Sequence, residues 1–350
     1  MDPFSQSANH SAKKVTTMKF SVCLSTGYEG LAYPIPFCKP QDLVKTAQLC
    51  ERLGYNGVWG NDHLTTQHYV RETFPDTPPN FYDPLITMAM IAQATTTLRV
   101  GTALLVLPMR EPVYLAKQVT TIDQMSGGRF SMAIGLGAYR EEFEAWKGNR
   151  LKGARRGDMF EEGIAAFKKL ITEKSASHDG EYYSFTNVEL APKPIQNPFP
   201  LYIGGHNIQS IERAATLGQG WLPGWRPFSE IDERIQQIKK RAAEIGRNPN
   251  EIEIAPQFSL LIGKTDEEAE KTYMKSGLVA HRVSLAYTGR DPIHQVTANL
   301  VGSPQSIIEK IQQLKKMGVD HCAAMVVAVN ANSEYDEQVQ WFAEEVMPHV

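Results

Sequence analysis

From Met18 onward the chain alternates between short, wholly apolar runs and stretches in which apolar residues recur every three or four positions. The first kind reads as strands buried on both faces, the second as helices with one face on a core. Residues 20–24 form such a run, and 41–53 follow as a helix, with Leu43, Ala47 and Cys50 on one face and Gly54 as its stop. A strand over 55–60 comes next. The alternation continues as helix 84–94, strand 98–107, helix 112–125, strand 129–134, and a helix from about 158 to 171. Strand 200–203, helix 208–217 and strand 220–222 come after it. Ser229 opens an amphipathic helix in which Ile231, Ile235, Ile238, Ala242 and Ile245 share a face, and Gly246 ends it. Strand 252–262 precedes a helix beginning near Asp266. Ser303 and Pro304 then supply an N-cap and a first helical residue ahead of Ile307, Ile308, Ile311 and Leu314, with Gly318 as the stop. Strand 321–327 and a helix ending near Val346 complete the series.

Eight such strands, each followed by helix, predict an α/β fold, a (β/α)8 TIM barrel. The chain's 350 residues exceed the ~250 typical of that barrel, which implies insertions at its C-terminal face. Two segments absorb the surplus: 175–199 reads as a short hairpin, and 283–302 as a mobile lid. Residues 1–17 are polar, so they are expected to be a disordered extension or tag remnant, and 18–350 a single barrel domain.

Composition narrows the function classes. With 42% hydrophobic and 21% charged residues this is an ordinary globular chain, and no apolar run approaches the ~18 residues of a membrane span. A net charge of −3 offers no basic footprint for nucleic acid. Cys23, Cys38, Cys50 and Cys322 are scattered without CxxC spacing, which fits a reduced, cytoplasmic protein.

In such a barrel the side chains at the C-terminal strand ends converge on one mouth. The turn Asn61-Asp62-His63 ends the second strand and sets an acid beside an imidazole that can move a proton near neutral pH. The third strand contributes Ala103, Leu104 and Val106. The fourth ends in Gly135-Leu136-Gly137-Ala138-Tyr139, a small-residue floor on which a flat ring can lie. The fifth ends in Gly204-Gly205-His206-Asn207 directly before a helix, where bare backbone and a helix N-terminus suit a phosphate. His63 and His68 stand five apart with no evident third ligand, so a metal site is not expected. Trp221 or Trp225 is expected to stack on a planar ligand, and Tyr69, Phe74, Phe81, Trp225 and Tyr287 in the loops to line an apolar pocket.

These segments together resemble the luciferase-like flavin- and deazaflavin-dependent oxidoreductases. The resemblance rests on Gly54-Tyr55-Asn56-Gly57-Val58-Trp59 with Asp62-His63, on Tyr82-Asp83-Pro84-Leu85, and on the run 99–108 continuing into Arg110-Glu111-Pro112. It continues through Ser126-Gly127-Gly128-Arg129, Gly135-Leu136-Gly137 with Glu141-Glu142-Phe143, Pro192-Lys193-Pro194, Ile203-Gly204-Gly205 and Gly220-Trp221. It spans roughly 18–330 and is closest to the branch dependent on the deazaflavin coenzyme F420.

The resemblance implies a ring across the barrel mouth, with a non-prolyl cis peptide at Ala103–Leu104 behind it. By the same resemblance, Asp62 contacts the cofactor and His63 exchanges a proton with the substrate. Val106, Gly137, Tyr139 and His206 belong to the cofactor site, and Gly204 and Gly205 hold its phosphate. Sugar-phosphate dehydrogenase relatives carry an acid where this chain has Ala138 and a Trp near Thr66 and Gln67, so glucose 6-phosphate is not the expected substrate.

The leading expectation is hydride transfer between F420 and a small organic substrate, in a homodimer. The alternative is a monooxygenase that uses reduced FMN and O2 through a peroxyflavin, served by a separate flavin reductase. A third, from another class, is a non-catalytic barrel that only binds a ligand.

Overall fold

The computed structural model describes residues 17–149, 151–285 and 294–350; the expected extension, apart from Thr17, and Tyr287 in the expected lid lie outside them. The strands are β1 (Lys19–Leu24), β2 (Gly57–Gly60), β3 (Arg99–Val106), β4 (Phe130–Gly135), β5 (Ala176–Asp179) and β6 (Ser184–Val188). After them come β7 (Leu201–Gly204), β8 (Gly220–Leu222), β9 (Glu253–Ile254), β10 (Ser259–Ile262), β11 (Leu300–Gly302) and β12 (His321–Val327). All except β5 and β6 run parallel in one sheet.

From β1 the sheet runs through β2, β3, β4, β7 and β8 to β9, in registers such as Val22↔Val58, Trp59↔Gly101, Ile134↔Ile203 and Trp221↔Ile254. On its other side β1 pairs with β12, and β12 with β10. The expected strand 252–262 is therefore split into β9 and β10, and Pro256 between them explains the break, because it has no N–H to give the ladder. Backbone bonds nonetheless cross the gap on both sides: Gln257 N donates to Pro223 O (2.9 Å) and Ala323 N to Pro256 O (3.1 Å). With β9 and β10 counted as one interrupted strand, and β11 paired to β10 as an addition beside it, the barrel has eight strands. β4 and β12 are buried along their whole length, as strands covered by helices on the outside and packed side chains inside should be.

Helices with a local start and stop sit where their periodicity predicts. Ser303 Oγ accepts from Ser306 N at the head of helix Pro304–Met317, and Gly318, at φ +96°, ends it in the left-handed region. Three short helices escape the sequence reading: His68–Thr73, Arg140–Lys147 and Gly277–Ser284, all in connections at the C-terminal face. The hairpin expected in 175–199 is present as antiparallel β5 and β6, and Tyr183 in its turn joins Val106, Met109, Phe143 and Met159 in an apolar cluster. The expected lid over 283–302 is in part regular structure instead, since β11 pairs in parallel with β10 (Leu260↔Leu300). The four cysteines are free and buried. Among the described residues no helix is long and apolar enough to cross a membrane, and no group of three His, Cys, Asp or Glu could hold a metal ion.

The opposite, N-terminal face is tied by a charged chain. Lys19 Nζ and His321 Nδ1 both reach the Glu253 carboxylate (2.9 Å each), and His321 Nε2 meets Ser21 Oγ at 2.7 Å. Burial works against the Glu253 charge, but His321 and Lys19 outweigh it and hold its pKa down to about 2. A carboxylate depressed in the folded state adds stability above its unfolded pKa and loses it as the pH falls, here on the order of 3 kcal/mol at neutral pH. The difference in urea midpoint between wild type and Glu253→Gln is expected to be complete above about pH 4.5 and to fade toward pH 2. A difference that stays constant across that window would remove Glu253 from the account.

Candidate functional site

Asn61 fixes the exit of β2. Its Oδ1 accepts from Thr26 Oγ1 and Gly27 N (2.9 Å each), and its Nδ2 donates to Gly27 O (3.0 Å), so the loop after β1 and the turn after β2 move as one. Asp62 then turns inward. Its Oδ2 accepts from Val106 N at 2.9 Å and its Oδ1 from Arg110 Nη2 at 2.7 Å, while Arg110 Nη1 reaches Asp83 Oδ2 at 2.9 Å. Burial pushes the Asp62 carboxyl above the usual carboxylate range, and Arg110 and the Val106 N–H pull the other way. Both its oxygens accept, so it is held as the anion.

The sequence pairs His63 with Asp62; the fold pairs it with Glu142. His63 Nδ1 lies 2.8 Å from Glu142 Oε1, and Glu142 Oε2 accepts from Leu64 N at 3.2 Å. Glu142 sits on helix Arg140–Lys147 and is 3% exposed. Gln67 Nε2 donates to the same Glu142 Oε1. Side chains of successive residues at a strand exit leave on opposite sides, which is why Asp62 and His63 take separate partners. A carboxylate on Nδ1 fixes the tautomer with the proton there and leaves Nε2 as the atom able to exchange a proton. The imidazole is walled by Phe81 (ring centroids 5.5 Å) and Tyr139 (5.9 Å).

Ala103–Leu104 is a cis peptide, the non-prolyl one expected from the resemblance. The glycines around it have an unexpected occupant. A Cβ on Gly135 would come 2.6 Å from Leu104 Cδ1, one on Gly204 would run into Leu104 Cδ2, and one on Gly137 would come 2.9 Å from Val106 Cγ1. These bare positions thus make room first for side chains of β3 rather than directly for a ligand. Gly205 is different in kind: at φ +95° it turns the chain into helix Ile208–Thr216, and a Cβ there would meet Ser210 Oγ at 2.5 Å.

This wall has the features of an anion site. Helix Ile208–Thr216 begins at Asn207, whose Oδ1 accepts from Ser210 N, and its dipole adds positive potential. Arg156 brings a guanidinium whose Nη1 is anchored on Gly137 O at 3.0 Å. Arg226 Nη2 contacts the His206 ring, 2.6 Å from Nδ1.

One cavity of about 410 Å³ joins these parts, within the size range of small-molecule sites. Asp62, His63, Ala103, Leu104, Val106, Gly137, Tyr139, Gly204, Gly205 and His206 all line it. The two tryptophans do not. Trp221 and Trp225 are buried at 0% and 1% exposure, so neither is open to stack on a ligand, and Trp221 braces the rim by donating from Nε1 to Gly205 O (2.8 Å). Of the loop aromatics, Tyr69 meets Tyr139 and His281 through its hydroxyl, Phe81 packs on His63, and Phe74 packs on the core.

The residues overlooked in the sequence are Glu142, Arg110, Arg156 and Arg282, and all but Arg110 line the cavity. Arg110 and Glu142 lay inside quoted motifs, but nothing local tells that each reaches a partner 48 or 79 positions away.

A family model described as luciferase-like monooxygenase matches residues 18–321. An FMNH2-dependent dimethylsulfone monooxygenase of Pseudomonas putida is 27% identical over 329 residues, covering 87% of this chain and 86% of that protein. Among solved structures, the FMN-bound oxygenating constituent of 3,6-diketocamphane monooxygenase from Pseudomonas putida superposes with TM-score 0.74 at 18% identity, over 95% of this chain and 99% of that one. The coenzyme F420 dependent tetrahydromethanopterin reductase of Methanopyrus kandleri does so with TM-score 0.70 at 20% identity, over the same shares.

Proposed function

The chain belongs to the luciferase-like monooxygenase family, and from that premise we propose that it is a reduced-flavin-dependent monooxygenase acting on a small organic substrate. The observation that carries the reading is the arrangement of one cavity: an imidazole braced by a buried carboxylate on one side, and an anion-binding wall on another. The F420 reading leads on sequence motifs alone. The order is reversed here because a relative matched along most of both chains is FMNH2-dependent.

The residues present fit such a cofactor. Gly205, Ser210 and Arg156 surround a place for the phosphate, where the positive φ of Gly205 and the helix N-terminus keep side chains back and N–H groups forward. Leu104 and Val106 present an apolar shelf for a ring, backed by the glycines that make room for them. Reduced FMN, when bound, supplies the electrons for inserting one atom of O2 into a substrate. The chain's own share is to hold the phosphate, keep water from the ring face with the apolar shelf, and move a proton at His63 Nε2. Glu142 keeps the imidazole oriented. In this reading a separate flavin reductase delivers the reduced cofactor.

The test is a pair of dissociation constants, for reduced FMN and for F420, on the purified full chain. FMN is expected to bind and F420 to bind at least tenfold more weakly, a difference of about 1.4 kcal/mol. F420 binding with no measurable FMN binding would restore the hydride-transfer reading.

A further inference from the structure

Arg282 stands apart from the other polar groups of the cavity. Asp62, His63, Tyr139 and His281 each have a polar partner. The Arg282 side chain lines the same cavity at 4% exposure, yet its Nε and Nη2 are buried without a hydrogen-bond partner. Among the described residues no carboxylate lies within ion-pair distance of it. A guanidinium kept from water with donors unused is costly, so a protein keeps one where a partner arrives from outside.

Its place in the barrel separates it from the phosphate wall. The helix that carries it, Gly277–Ser284, packs on the loop after β1: the His281 ring lies 6.3 Å from that of Tyr28, and a Cβ on Gly277 would come 2.7 Å from Ala32 O. Gly204 and Gly205 end β7, and β2, β3 and β4 lie between β1 and β7, half the circuit of an eight-stranded barrel. A cofactor anchored at Gly205 would leave Arg282 to whatever enters from the opposite side of the mouth.

We propose that Arg282 is the anchor for an acidic substrate end, a carboxylate or sulfonate, bound through its guanidinium on the far side of the cavity from the phosphate wall. The proposal rests on reading the cavity as a cofactor and substrate site. Specificity follows from the same geometry, since a neutral analogue leaves a buried charge unpaired and is rejected more strongly than a change of chain length would be.

Isothermal titration of the full chain with two matched pairs tests it: butanoate against butanamide, and propane-1-sulfonate against propane-1-sulfonamide. At least one acid is expected to bind tenfold or more tighter than its amide, and whichever acid does so identifies the oxyacid class. Arg282→Gln is expected to weaken that acid by about tenfold to a hundredfold and leave the amide unchanged, with Arg282→Lys in between. Thermal melting of both variants checks that they fold. Equal binding of acid and amide, no binding of either acid, or acid binding unchanged in Arg282→Gln overturns the proposal. FMN affinity, measured on the same samples, reports separately on the cofactor reading, because Arg282 is not on the phosphate wall.

Discussion

His63→Ala is expected to lower kcat by about 10²- to 10⁴-fold, the range a positioned general acid or base contributes, while FMN affinity stays as in the wild type. The reasoning is geometric. His63 is held by Glu142 at 2.8 Å, and its ring lies between Phe81 and Tyr139, whereas the phosphate wall is built from β7 and the helix after it. Removing the imidazole therefore takes away proton transfer without touching what holds the cofactor. Glu142→Gln keeps the ring but removes the charge that orients it, and a loss of about 10- to 100-fold is expected, as for other carboxylates behind a functional histidine. Steady-state turnover and fluorescence titration of FMN, run on both variants, separate the two effects. Unchanged turnover in His63→Ala would take the imidazole out of the reaction.

The second large effect falls on stability. Arg110 bridges Asp62 and Asp83, and Asp83 Oδ1 also caps helix Pro84–Ala94 through Leu85 N and Ile86 N. Arg110→Met leaves the 5%-exposed Asp62 carboxylate with only the Val106 N–H. Breaking one partner of a buried ion pair costs about 3–5 kcal/mol, because the remaining charge is neither hydrated nor paired. Guanidinium denaturation should show that loss. Its pH dependence carries a definite sign: burial already raises the Asp62 pKa above its unfolded value. A group raised in this way weakens the fold when ionised, so the Arg110→Met deficit is largest near neutral pH and shrinks as the pH falls and Asp62 takes up a proton. Adding Asp62→Asn should recover part of the loss. A stability equal to the wild type would mean that Asp62 finds water or another donor.

Much of the frame was legible because its signals are local. Ser303, Pro304 and Gly318 mark a helix by their own conformational preferences, and wholly apolar runs such as β4 and β12 state their burial directly. Where the reading failed, the deciding group was elsewhere. Pro256 breaks a strand only because the flanking residues pair on both sides, and the charged stretch 140–147 shows no strong core face until Glu142 turns toward His63. Trp221 looked free to stack on a ligand until its N–H was seen to donate to Gly205 O.

By itself the sequence determined the strand–helix alternation, the barrel that follows from it, and the strand ends at which His63, Leu104 and Gly205 stand, since each depends on periodicity and turn chemistry within a few residues. Only the tertiary structure decided that Glu142 partners His63, that Asp62 belongs to Arg110, and that Arg282 enters the cavity with donors to spare. Those contacts join residues on different elements, and their energies depend on burial and distance, which no local pattern records.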